Sequence, residues 1–268
     1  MPRTLIGPIL GIILVFTVFA CLVFLGWHFV KERVLQKQEY LLLADKIVVS
    51  PPPDWVPQRF IEDVLRSSGL NKMSLLDKTL PQKLMEAFVI YPWVEKVEQV
   101  ALSYPSGAEI KLVYRVPAAF VEMTQRGIVA VDRNGVVLPW SLSDASSDQQ
   151  NNHLIIQGIQ SMPLGSAGTL WGDPLVETAA QLAAALTDDD NIVEPLKLKW
   201  IIPTLETAPN GDRMVFRLKT IAGTEFNWGT FVPGAPKLDE KKRKLWKLHE
   251  DFRSLDRVPE NYRDLSKE

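Results

Sequence analysis

A chain of 268 residues with 46% hydrophobic and 23% charged residues has the composition of a folded protein, which excludes disorder throughout and a many-span transporter. Lys and Arg total 30 against 32 Asp and Glu, a formal charge of −2, which makes the chain a poor candidate for wrapping nucleic acid. The one cysteine, Cys21, excludes an intrachain disulfide and a zinc knuckle, and the three histidines (His28, His153 and His249) stand far apart.

From Leu5 to Val30 there is no Asp, Glu, Lys or Arg over 26 residues, and about 20 apolar residues suffice to cross a bilayer. Fifteen of residues 5–25 are Leu, Ile, Val or Phe, worth roughly −5 to −9 kcal/mol toward insertion. Trp27 and His28 close the run where an aromatic belt would sit. The apolar core is longer than that of a signal peptide, and no small-x-small cleavage site precedes the charged stretch. The expectation is an uncleaved single-pass anchor over residues 5–30, in contact with membrane lipid, after a short tail of residues 1–4. Its orientation stays open. Arg3 stands before the span and Lys31, Arg33 and Lys37 after it, which by count places the bulk inside. The lack of cysteine after position 21 suits an oxidising compartment instead.

After the span, residues 31–45 read as a helical linker. Lys46–Ser50 reads as a strand that Pro51-Pro52-Pro53 stops. Asp54 is a candidate cap for a helix reaching Ser68, with Phe60, Ile61, Val64 and Leu65 on one face and Gly69 at its end. A second helix from about Thr79 lines up Leu80, Leu84 and Phe88, widened by Met85 and Val89, and Pro92 stops it. Val100, Leu102 and Tyr104 alternate as a strand, Pro105-Ser106-Gly107 turns, and Ile110, Leu112 and Tyr114 alternate again. The order over residues 46–116 is strand, helix, helix, strand, strand.

Residues 117–268 read as a mixed β domain with flanking helices. Ala118–Glu122 and Gly127–Val131 are strands, and Asn134-Gly135 turns the chain into Val136–Leu138. Ser141–Asn152 is polar and reads as mobile. Leu154–Ile159 is a strand, residues 162–174 a Gly-rich loop, and Leu175–Leu186 an alanine-rich helix. Leu196–Ile202 and Arg213–Lys219 form a hairpin around Asn210-Gly211, followed by a strand at Thr224–Trp228. Lys237–Leu255 is a charged helix with Leu245, Leu248, Phe252 and Leu255 on one face. Asn261–Leu265 reads as a final edge strand.

The chain carries no HExxH, no P-loop and no nucleophile elbow. No constellation supports an enzyme or a cofactor. Asp188-Asp189-Asp190 suggests a cation site but reads better as a solvated loop. The run Lys241–Lys244 suggests headgroup or nucleic-acid contact but sits beside Asp239 and Glu240, as a solvated helix face does. Trp171-Gly172-Asp173-Pro174 reads as a packed turn in preference to a ligand loop.

Pro92-Trp93-Val94, then Tyr104-Pro105, then Arg115-Val116-Pro117, followed by Asp132-Arg133-Asn134-Gly135-Val136, occur in one order. Near the end come Phe226-Asn227-Trp228-Gly229, Lys244-Leu245-Trp246-Lys247-Leu248 and Asp264-Leu265. In this order the chain resembles the FtsQ/DivIB family of bacterial cell-division proteins. The resemblance implies an α+β chain with a single N-terminal transmembrane helix, a βααββ POTRA domain over residues 46–116, and a mixed β-sheet domain over 117–268 with a C-terminal helix and edge strand. It also implies a cytoplasmic tail at residues 1–4, an inner-membrane protein with its bulk in the periplasm at the septum, and a non-enzymatic scaffold of the divisome. The partners implied are FtsB/FtsL-like bitopic coiled-coil proteins, with no nucleic acid and no cofactor. The expected interface is Tyr262, Arg263, Asp264, Leu265 and Trp228, with Tyr262 as anchor. A second contact surface is expected at Ile47, Val48 and Val49. Two other readings stand beside this one, a POTRA-bearing assembly or translocation component and a membrane-tethered envelope hydrolase.

Overall fold

A computed structural model describes residues 6–35, 40–70, 73–123, 127–141, 153–188, 191–208, 211–235 and 237–266. The first helix, α1, covers Ile6–Leu35, with side chains described from Ile13 to Trp27. Among the described residues no helix is long and apolar enough to cross a membrane. The expected span from Leu5 to Val30, and the single-pass inner-membrane placement with a periplasmic bulk at the septum built on it, are corrected on that finding. The remaining fold class, α+β with mixed sheets, is what the structure contains. The tail, residues 1–4, and Leu5 lie outside the described residues.

The chain divides into two compact units, Met1–Val113 and Tyr114–Glu268, where the sequence suggested a boundary after 116. The first unit holds β1 (Ile47–Val49), α2 (Phe60–Ser68), α3 (Leu80–Val89), β2 (Val94–Ser103) and β3 (Gly107–Tyr114). Its sheet has the order β1-β3-β2, with β1 parallel to β3 and Ile47 opposite Ala108. A Cβ on Gly107 would lie 2.6 Å from the Lys46 carbonyl oxygen, so the close approach of these strands needs glycine there. Helix α2 buries Phe60, Val64 and Leu65, and α3 buries Leu80, Leu84 and Phe88. The Phe60 and Phe88 rings meet edge to face at 6.3 Å. Gly69 ends α2 at φ 69°.

Three expectations for this unit are corrected. Helix α2 starts at Phe60 with Arg59 as N-cap and no side-chain cap, not at Asp54. Val56 precedes Pro57, which disfavours the helical region for Val56 and keeps the helix from reaching back. Met85 and Val89 are exposed, so α3 buries a single line. The linker over 31–45 is not one helix. Residues 36–39 lie outside the described residues, Leu41 bridges Ser74, the Leu42 N–H donates to the Met73 carbonyl at 2.9 Å, and Ala44–Lys46 is one 3-10 turn. Buried Leu42 explains the departure, since it draws this stretch into the core.

The second unit contains β4 (Pro117–Met123), β5 (Gly127–Asp132), β6 (Val137–Ser141), β7 (Leu154–Ile156), α4 (Pro174–Thr187), β8 (Leu198–Ala208), β9 (Gly211–Thr220), β10 (Glu225–Gly229) and α5 (Lys237–Phe252). Its seven-stranded sheet has the order β10-β9-β8-β7-β4-β5-β6. Strand β7 is parallel to both β4 and β8, and the other described pairings are antiparallel. Central β4 and β7 carry unbroken buried runs, as strands covered on both faces do. The small residues Ala179, Ala180 and Ala183 are fully buried, so α4 can approach its core neighbours closely. At the β5–β6 turn the Asp132 carboxylate accepts from the Asn134 and Val136 N–H groups at 2.8 and 2.9 Å and from Arg115 Nη1 at 2.6 Å. Strand β7 is shorter than Leu154–Ile159 because the chain turns at Gly158, φ 88°. Residues 142–152 and Asn210 lie outside the described residues. The final edge strand is also corrected: Glu260–Tyr262 is a 3-10 turn, and among the described residues a single bridge follows it.

Candidate functional site

The expected interface residues meet at the β10 edge of the large sheet. Phe226 and Trp228 point into the core from β10, and the intervening Asn227 is exposed. β10 pairs with β9 from Glu225 opposite Lys219 to Asn227 opposite Arg217, then slips so that Gly229 opposes Phe216. Gly229 sits at φ 75°, and a Cβ there would lie 2.7 Å from Ser266 Cβ. This bulge opens room for the terminal segment to lie against the sheet.

On the outer side of β10, the Asn227 N–H donates to the Arg263 carbonyl and the Leu265 N–H donates to the Asn227 carbonyl, each at 2.8 Å. Asn227 and Asp264 thus form a parallel bridge. Because the C=O and N–H of one planar peptide point in opposite directions, the N–H and C=O of Asp264 face away from β10. Asn227 Nδ2 also donates to Asp264 Oδ1 at 3.1 Å, and the Ser266 N–H donates to the same oxygen at 3.0 Å. Arg263 Nε donates to the Val258 carbonyl at 2.8 Å, folding the segment back on itself.

Two of the five expected residues do not present a surface. Trp228 is 1% exposed and Leu265 is 3% exposed; both belong to the core and anchor the segment. Arg263 and Asp264 are half-buried, and Tyr262 is 54% exposed with its ring 6.0 Å from Phe252. On β1, Ile47 is buried, Val49 half-buried and Val48 64% exposed, so only Val48 offers a side chain outward.

Lys241, expected on a solvated helix face, is instead drawn against β10. Its Nζ donates to the Trp228 and Thr230 carbonyls and lies 5.2 Å from the centre of the Trp228 ring. Burial, then the charges of Lys237 and Lys244, push its pKa below the ordinary lysine value, against the pull of Asp264 and Glu240. A concavity of about 280 Å³ opens here, lined by Trp228, Phe231, Leu238, Lys241, Leu265 and Ser266 among others. Nothing in the run Lys241–Lys244 marks its first member. Asn227 did carry a signal, as a lone amide between two aromatic residues in a short strand.

The other motifs resolve into structure. Lys242 reaches the Asp188 carbonyl, Arg243 the Asp239 carbonyl, and Lys244 pairs with Glu240 at 3.4 Å, so these cations do not form one face. Asp188 stands 3.8 Å from Arg133, while Asp189 and Asp190 lie outside the described residues. Among the described residues no group of three or more His, Cys, Asp or Glu side chains is placed to hold a metal ion. Trp171 is fully buried with Nε1 donating to Ser161 Oγ at 3.1 Å, and Asp173 caps α4 by accepting from the Leu175 N–H. No family model matches the chain, and no curated protein matches it.

Proposed function

We propose that this chain is a non-enzymatic scaffold of the FtsQ/DivIB kind, which joins cell-division proteins by holding an FtsB/FtsL-like coiled-coil partner at the terminal edge of its large sheet. One observation carries the reading. The segment Arg263–Leu265 is the outermost layer described on β10, held by two main-chain bonds and by buried Leu265, with exposed Tyr262 next to it. An extended segment of a partner adds to such an edge by main-chain hydrogen bonds, and neighbouring side chains supply specificity. Exposed Tyr262 beside that edge is the anchor, because tyrosine is enriched among residues that dominate interface energetics.

The test is capture of a purified FtsB/FtsL-like coiled-coil pair by the full chain and by Tyr262→Ala. The side chain is exposed, so the variant folds, and capture falls at least about tenfold. Capture undiminished by Tyr262→Ala removes the anchor, and no capture by the unaltered chain removes the reading. Truncation after Val258 is the poorer test, because it deletes buried Leu265 and disturbs the core.

A further inference from the structure

The small sheet has two outer strands of different design. β1 is three residues long and runs through Ser50 into Pro51-Pro52-Pro53, which carry no N–H to donate. β2 is ten residues long, pairs with β3 on one side, and among the described residues has no strand on the other. An open edge of that length is a template for another strand unless its side chains forbid pairing. Glu95, Lys96, Glu98 and Gln99 are exposed along it, and Val94 and Val97 are buried.

From these residues we infer that β2 pairs antiparallel with the β2 of a second copy of this chain, across a two-fold axis through Val97. A symmetric contact requires a strand that complements itself. The segment Val94-Glu95-Lys96-Val97-Glu98-Gln99-Val100 does so about its centre. Val94 falls opposite Val100, Glu95 opposite Gln99, and Lys96 opposite Glu98, with the last pair formed twice by symmetry. Opposite charges directly across an antiparallel pair stabilise it, and like charges oppose it. Moving the axis one residue toward the N-terminus sets Lys96 against Lys96, and one residue toward the C-terminus sets Glu98 against Glu98. The charges that would discourage a foreign strand therefore select one register with a second copy. β2 belongs to the first unit and the terminal edge to the second.

Sedimentation velocity of the full chain over a concentration series tests it, with Lys96→Glu, Glu98→Lys and the double exchange alongside. All three changes fall on exposed side chains. The unaltered chain self-associates, each single reversal weakens association at least about tenfold, and the double exchange restores it. A monomer at every concentration overturns the inference. So does association that ignores either single reversal, since another surface then carries it, and so does a double exchange that fails to recover.

Discussion

The two sheets finish their edges by different means. In the small sheet, β1 simply runs out: the Ser50 hydroxyl accepts from the Leu112 N–H at 2.9 Å, and three prolines follow. In the large sheet, β10 is finished by residues 263–266, which among the described residues share one bridge with it. That segment is held by buried Leu265, the Asn227–Asp264 side-chain bond and the Arg263 tie to Val258. The first edge ends on one serine hydroxyl and on prolines that carry no N–H. The second is closed by side chains far apart in sequence, and so it can present a shaped surface.

Removing the anchor of the second edge has the largest effect. Leu265→Ala leaves a cavity in the core of the large unit and costs about 2–5 kcal/mol, read by urea unfolding. The terminal edge loosens with it, and partner capture falls. In the small sheet, the Tyr114 hydroxyl at the end of β3 is pushed up to about 12 by burial. A tyrosine in the unfolded chain titrates at about 10. The folded chain therefore keeps a proton that the unfolded chain loses, and stability falls as pH rises through the window from about 10 to about 12. Tyr114→Phe flattens that slope in unfolding curves recorded on either side of about pH 10. Ser50→Ala removes one hydrogen bond to β3 and costs about 1 kcal/mol by the same denaturant assay. Met85→Gln, on the exposed side of α3, stays within about 0.5 kcal/mol of the unaltered chain. A loss of 2 kcal/mol or more, on the order of a core truncation, would return Met85 to the core.

The elements were legible where one period governs them. Leu80, Leu84 and Phe88 repeat every four residues and are buried; Ile110, Leu112 and Tyr114 alternate and are buried. Gly69 and Gly135 take the positive φ that their turns require. The misses share a cause, which is that long-range packing overrides local pattern. Met85 and Val89 fit a helical stripe, yet among the described residues no element covers them. Leu42 lies in a stretch that reads as helix, yet it bonds through its backbone to Met73 and is buried. At the terminal edge, Tyr262 through Leu265 fall together in the sequence, but their division into exposed Tyr262 and buried Leu265 was not legible there. That division depends on Trp228 and on the Gly229 bulge, more than thirty residues upstream.

The central claim is that a partner adds to the main chain at Arg263–Leu265. Amide hydrogen exchange on the full chain, with and without the coiled-coil pair, measures this directly. The account predicts slowed exchange confined to residues 262–266, with β1 unchanged. A bound partner that protects some other segment and leaves these amides at their original rate would contradict it.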